Sequence, residues 1–323
     1  MSARVQPNFF VVGAGKAGTT SLHGYLAQHP QIYMSPVKEP CYFAAEIRAE
    51  KLSAAVQRHV RLQSRSLAAV LDDGGEVSST GWLAADWEQY LRLFQHVKHE
   101  TAIGEASAIY LWSESAPARI RAAAPAAKIV MILRDPAERA YSQYLHQVSV
   151  GLTGATFREH IQTCLTARRE AFGIHHPFLE AGLYYEQVKR YLEIFPREQV
   201  RIYWYEEAWK DPAEMLRDLF EFLDVSPEFQ PDFSHRSLVR RAPRYRTLHF
   251  VLKRLALWYP LRRLIPEGLH PRLKAFAFQQ GRSLAMEAAD RRVLLDYYRD
   301  DIGKLARLLN RDLSEWLKSA GAR

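Results

Sequence analysis

Asn8-Phe9-Phe10-Val11-Val12-Gly13-Ala14-Gly15-Lys16-Ala17-Gly18-Thr19-Thr20-Ser21-Leu22 is the stretch on which the reading of this chain turns. The apolar run Phe9 to Val12 is strand length and stops at a glycine. From Thr19 to His29 the apolar residues Leu22, Tyr25 and Leu26 fall at helical spacing, and the pattern ends before Pro30. Strand, glycine loop and helix in that order open a nucleotide-binding α/β fold. The glycines let the backbone curl until successive N–H groups converge, and the start of the next helix adds positive potential, so the loop suits a phosphate.

The position of the lysine narrows the chemistry. A Walker A loop places lysine directly after its second glycine, where it reaches the outer phosphates of a triphosphate beside Mg²⁺. Here Gly13 and Gly18 keep the Walker spacing, but Thr19 follows and the lysine stands inside the loop as Lys16. A lysine there sits over the first phosphate. A sulfuryl group carries less charge than a phosphoryl group, so such a lysine could suffice without a metal. The plainer alternative is a glycine turn with a solvated lysine.

Outward from the loop the same punctuation recurs. Lys128-Ile-Val-Met-Ile-Leu-Arg134 reads as a second strand, with Asp135 as helix cap and Pro136 at the first helical position. Gln199 to Tyr205 reads as a third, followed by a helix from about Pro212 to Leu223. Helical patterns occupy roughly 53–71, 86–96, 114–124, 155–171 and 180–195, and the chain from about Arg244 reads as mostly helix, closing with Asp290 to Lys318. These spacings predict an α/β fold with a P-loop-like parallel sheet flanked by helices and a helical C-terminal extension. One domain is expected over residues 1–323, its α/β core at about 8–230 and its mostly helical region at about 244–323.

Composition bounds the rest. Hydrophobic residues make up 48% of the 323 and charged residues 25%, ordinary values for a globular protein. Two cysteines, Cys41 and Cys164, cannot supply a disulfide framework or a zinc site, and no histidines show metal-ligand spacing. Met1 to Asn8 has no apolar signal core, and no apolar run approaches ~20 residues, so a cytoplasmic setting is expected. The net charge of +8 is concentrated: Arg236 to Lys274 holds nine arginines and two lysines against one glutamate. A local basic block in a near-neutral chain points to an anionic ligand or surface and not to general nucleic-acid binding.

Gly15-Lys16-Ala17-Gly18-Thr19-Thr20-Ser21-Leu22 resembles the 5′-phosphosulfate loop of the sulfotransferases that use 3′-phosphoadenosine 5′-phosphosulfate. His29-Pro30 and Lys38-Glu39-Pro40-Cys41-Tyr42-Phe43 are similar to the heparan-sulfate-type and bacterial carbohydrate branch. Arg134-Asp135-Pro136-Ala137-Glu138-Arg139-Ala140-Tyr141-Ser142 resembles the family's 3′-phosphate motif. The resemblance implies a donor site made of Gly15, Lys16, Ala17, Gly18, Thr19, Thr20 and Ser21 with Arg134 and Ser142, and transfer to a hydroxyl or amine of a saccharide, a glycolipid or a small metabolite. The residues alone allow Arg134 to be a salt bridge to Asp135 or Glu138, and Ser142 an ordinary mid-helix serine.

An acceptor hydroxyl must lose its proton as the new bond forms, so a base is expected within reach. Glu105, in Ile103-Gly104-Glu105-Ala106-Ser107-Ala108, follows a short apolar pair and matches the glutamate of a Glu-Lys-Thr-Pro segment in heparan-type sulfotransferases. Ala106 and Ala108 depart from that segment, so contacts made by the family's lysine are not expected here. Lys38 is expected beside Lys16 at the reaction centre. His23, His146, His175 and His176 are the weaker candidates for the base. A P-loop kinase lacks its Walker lysine here, and a polyanion-binding protein would leave Glu105 and Lys38 without a task. One of Arg236, Arg240 or Arg241 is expected to reach the 3′-phosphate, and 249–265 reads as a core helix with a basic edge or as a lid or peripheral membrane contact.

Overall fold

The computed structural model describes residues 5–63, 86–166, 172–234, 241–255, 278–280 and 285–318. Strands β1 (Phe9–Gly13), β2 (Ile32–Met34), β3 (Ala102–Ala106), β4 (Lys128–Leu133) and β5 (Val200–Trp204) form one parallel sheet in the order β2-β3-β1-β4-β5. β1 is buried along its whole length and β4 from its second residue on, as strands covered on both faces must be. Of the five strands, β2 escapes a sequence reading: three residues, one of them only partly buried, show no period.

Between the strands lie α1 (Thr19–Leu26), α2 (Ala54–Gln63), α3 (Trp87–Arg92), α4 (Ala116–Ala123), α5 (Pro136–Ser149), α6 (Phe157–Thr166) and α7 (Tyr184–Ile194). α8 (Pro212–Phe222) follows β5. The expected starts at Asp135-Pro136 and at Pro212 are both found, each behind a capping aspartate. The Asp135 carboxylate accepts from the N–H groups of Ala137 and Glu138, and the Asp211 carboxylate from that of Glu214.

The C-terminal region is not all helix. β6 (Arg241–Pro243) and β7 (Phe278–Gln280) pair antiparallel, ahead of α9 (Arg246–Arg254) and α10 (Ala288–Leu309) respectively. α10 buries Leu294, Leu295, Tyr298, Ile302 and Leu305 against α5 and α7. Its Arg291 is a fixed point: it donates to the Asp135 carboxylate at 2.7 Å and to the carbonyls of Trp316 and Lys318. The C-terminal helix is thereby tied to the start of α5.

The strand order places a crevice. The chain leaves β1 toward β2 on one side of the sheet and leaves β4 toward β5 on the other. Loops at the carboxyl ends of β1 and β4 therefore diverge, and ligands of open α/β sheets bind in such gaps.

Candidate active site

Every residue expected in the site lies in or beyond the carboxyl half of a strand. The loop after β1 carries Lys16, and the segment after β2 carries Lys38 and Glu39. Glu105 is the penultimate residue of β3, Arg134 follows β4 directly, and Ser142 lies on α5, one turn beyond Glu138. The crevice between β1 and β4 is bridged by Arg134, whose Nη1 donates to the Lys16 carbonyl at 2.9 Å. Arg134 is 6% exposed, lies over the Tyr205 ring at 4.3 Å and pairs with Glu138 at 3.6 Å. The salt bridge allowed by the sequence exists, but the same guanidinium also holds the loop.

The loop is shaped by two glycines in opposite ways. Gly18 has φ +88°, and a Cβ there would come within 2.5 Å of the Trp209 indole, whose Nε1 donates to the Ala17 carbonyl. A Cβ on Gly15 would meet nothing within 4 Å, so the backbone there faces open space. Gly18 caps α1 without a side-chain hydrogen bond. The first-turn N–H groups of a helix have no intrahelical partners, so those of Thr19 and Thr20 face the same opening.

Cations converge around this opening. Burial, then the nearby Lys38 and Arg134 charges, push the Lys16 ammonium down from its ordinary 10.5 to about 8. Lys38 is 6% exposed and ion-paired to Glu39. Lys38 and Arg134 each have a carboxylate partner, Glu39 and Glu138, and an anion bound over Lys16 would offset the remaining repulsion. Backbone donors at an uncapped helix start, open space over Gly15 and converging lysines and arginine fit a phosphosulfate donor. Among the described residues no group of three or more His, Cys, Asp or Glu is placed to hold a metal.

The two glutamates are in unlike settings. Glu105 is 0% exposed and accepts hydroxyl hydrogen bonds from Tyr110 (2.7 Å), Ser107 (2.7 Å) and Tyr90 (3.1 Å). Burial raises its carboxyl from 4.5 to about 7, with the three hydroxyls pulling the other way. The sequence alternative, an ion pair to Arg or Lys, is not found among the described residues. The Glu39 side chain is 20% exposed, with one oxygen on Lys38 and the other accepting the Ala108 N–H at 2.8 Å. Glu39 was visible in the quoted Lys38-Glu39-Pro40 segment but drew no role, because a neighbour of an assigned lysine reads as its counter-ion. Tyr205 and Trp209 were also missed; their signal is their place just beyond β5.

The histidines recede. His23 Nε2 donates to the Ser35 carbonyl at 3.0 Å, and burial drives its pKa to about 4. His176 pairs with Glu180 and packs on Trp112. Arg236 and Arg240 lie outside the described residues, and Arg241 opens β6.

The sequence pattern of the sulfotransferase family matches residues 7–231. The chain belongs to the sulfotransferase family. A crystal structure of a sulfotransferase from Alicyclobacillus acidocaldarius has 31% sequence identity and a TM-score of 0.70, covering 97% of this chain and 100% of that one. Bifunctional heparan sulfate N-deacetylase/N-sulfotransferase 3 from Homo sapiens is 28% identical over 97% of this chain. Carbohydrate sulfotransferase 15 from Mus musculus is 26% identical over 69% of it. The chain spans 31% of the first relative's length and 45% of the second's. The parallel sheet flanked by helices is shared with that structure, and in this chain the loop after β1 and Arg134 after β4 lie on either side of one crevice.

Proposed function

We propose that this chain is a sulfotransferase enzyme that moves a sulfuryl group from 3′-phosphoadenosine 5′-phosphosulfate to a hydroxyl or amine of a saccharide. The observation that carries the reading is the convergence of Lys16, Lys38 and Arg134 on the open start of α1. The donor, when bound, supplies a sulfuryl group on an activated phosphate. The loop from Gly15 to Ser21 and the Lys16 ammonium hold its 5′ end. Arg134 and Ser142, on the side of β4, hold its 3′-phosphate. Lys16 and Lys38 offset charge building on the leaving oxygen, and such preorganised contacts are worth roughly 2–4 kcal/mol each. A saccharide acceptor is supported by the relatives, a heparan sulfate N-sulfotransferase and a carbohydrate sulfotransferase. Both cysteines are free thiols, which suits a cytoplasmic setting.

For the base, exposure favours Glu39 over Glu105. A base must come within hydrogen-bond reach of the proton it takes, and Glu105 is closed off by three hydroxyls and the rings of Tyr90 and Tyr110. Glu39 meets both solvent and Lys38. The second reading keeps Glu105 as base, because a carboxyl near 7 is matched to proton transfer at neutral pH.

The test is transfer from sulfur-labelled donor to a panel of saccharide, glycolipid and phenolic acceptors, with and without chelator. Label is expected on a saccharide at undiminished rate in chelator. Loss of activity in chelator, restored by Mg²⁺ and accompanied by ATP turnover, would favour a kinase. Salt-sensitive donor binding without turnover on any acceptor would favour a polyanion-binding protein.

A further inference from the structure

α9 is oriented the wrong way round for a surface helix in water. Three of its polar side chains, Arg246, His249 and Lys253, lie against the protein. His249 is 5% exposed and donates through Nε2 to the Ser149 carbonyl at 3.0 Å. Arg246 donates to the Gly154 carbonyl at 2.9 Å and to the Tyr144 hydroxyl at 3.2 Å. The Lys253 stem lies so close over Gly151 that a Cβ there would come within 2.6 Å of it. Apolar side chains face outward instead: Leu248 is 57% exposed, Val251 41% and Leu255 60%, with Tyr245 at 57% just before the helix. Steps of three and four residues put these on one stripe. Arg244 and Arg254, both exposed, flank its two ends.

We propose that the stripe of Tyr245, Leu248, Val251 and Leu255 is a docking face for an anionic lipid surface. An interfacial helix sinks an apolar face to the boundary between headgroups and acyl chains while cationic side chains meet the phosphates. The charge distribution selects this occupant. The sequence from Arg236 to Lys274 carries nine arginines and two lysines against one glutamate, whereas the remainder of the chain is close to neutral. A second copy seated on the same stripe would bring its own Arg244 and Arg254 against these two arginines, so self-association is opposed where an anionic surface is attracted. The inference is independent of the sulfotransfer reading, since it concerns a face held by α5 and the connection after it, not by the loop after β1.

Flotation with the whole chain tests it, using phosphatidylcholine vesicles and mixed phosphatidylcholine–phosphatidylglycerol vesicles at low salt. The protein is expected to float with the mixed vesicles and to stay down with phosphatidylcholine alone. Arg254→Gln should lower the partition coefficient about fivefold, the factor expected for one basic residue at an anionic surface. Leu248→Gln/Val251→Gln/Leu255→Gln should lower it about tenfold or more. Its circular dichroism and donor binding should match the parent, since these side chains already face water. Three results overturn the proposal: no flotation of the parent; a triple variant that floats like the parent, which would leave charge alone as the cause; or a lipid-free dimer that the triple variant dissolves, which would make a second copy the occupant.

Discussion

At the scale of the residue, Glu105 and Arg134 carry the sharpest consequences. Glu105 is held in its folded setting with a carboxyl raised from 4.5 to about 7. Between those values the folded state keeps a proton that the unfolded chain has released, so stability falls as pH rises through that window and the loss is complete above it. The displacement corresponds to roughly 3 kcal/mol. Glu105→Gln, which stays neutral, should therefore be more stable than the parent in urea at pH 8, the difference fading toward pH 4.5. A variant destabilised more at pH 8 than at pH 5 would show that the fold uses the charged form. Turnover separates the two glutamates: Glu39→Gln should lose about 10²–10⁴-fold in kcat with donor affinity kept, and an active Glu39→Gln beside an inactive Glu105→Gln would return the base to Glu105. Arg134→Ala should weaken 3′-phosphoadenosine 5′-phosphate about 10- to 100-fold, the scale of hydrogen bonds to a charged group. A nucleotide lacking the 3′-phosphate should lose far less, and calorimetry showing equal losses would sink the assignment.

At the scale of the element, the start of α5 joins the crevice beside β4 to the C-terminal helix. Asp135 does two tasks with one carboxylate: Oδ1 caps α5 and Oδ2 receives Arg291 from α10. Removing it leaves a 7%-exposed arginine without its counter-charge, and breaking such a buried pair costs about 3–5 kcal/mol, beyond about 1 kcal/mol for the lost cap. Asp135→Ala should thus lower stability by at least about 3 kcal/mol in chemical denaturation. Asp135→Asn keeps a capping oxygen and should lose less. If both variants unfold at the parent's midpoint, the Arg291 contact contributes nothing. Asp135-Pro136 was legible as a helix start because a cap is local chemistry. That the same aspartate also anchors α10 was not, because Arg291 is 156 residues away and nothing local marks it.

At the scale of the whole molecule, the C-terminal helix packs on α5 and α7, and Tyr298 donates to the Leu179 carbonyl at 2.9 Å. The α/β core and the C-terminal helix are expected to unfold together, as the single-domain reading requires. Helicity and tryptophan fluorescence should lose their signals in one coincident thermal transition. Product nucleotide at a hundredfold excess over its Kd should move that whole transition upward, by an increment of about 2.7 kcal/mol. A separate early loss of helicity, untouched by nucleotide, would divide the chain into two units.

By itself the sequence determined the parallel α/β class, the loop from Gly13 to Ser21 and the Arg134 motif. Each rests on short-range physics: apolar runs make buried strands, glycine frees the backbone, and Asp before Pro starts a helix. Only the tertiary structure decided what those pieces face. The sheet order, not any local pattern, sets the β1 and β4 loops side by side so that Arg134 can hold the Lys16 carbonyl. Hydroxyls from α3 and from the turn after β3 enclose Glu105 and leave Glu39 open. α9 shows the same division. Its alternating basic and apolar residues announce an amphipathic helix, but anchoring by His249 and Arg246 turns the apolar stripe outward. Orientation is a property of partners distant in sequence, and periodicity carries no record of them.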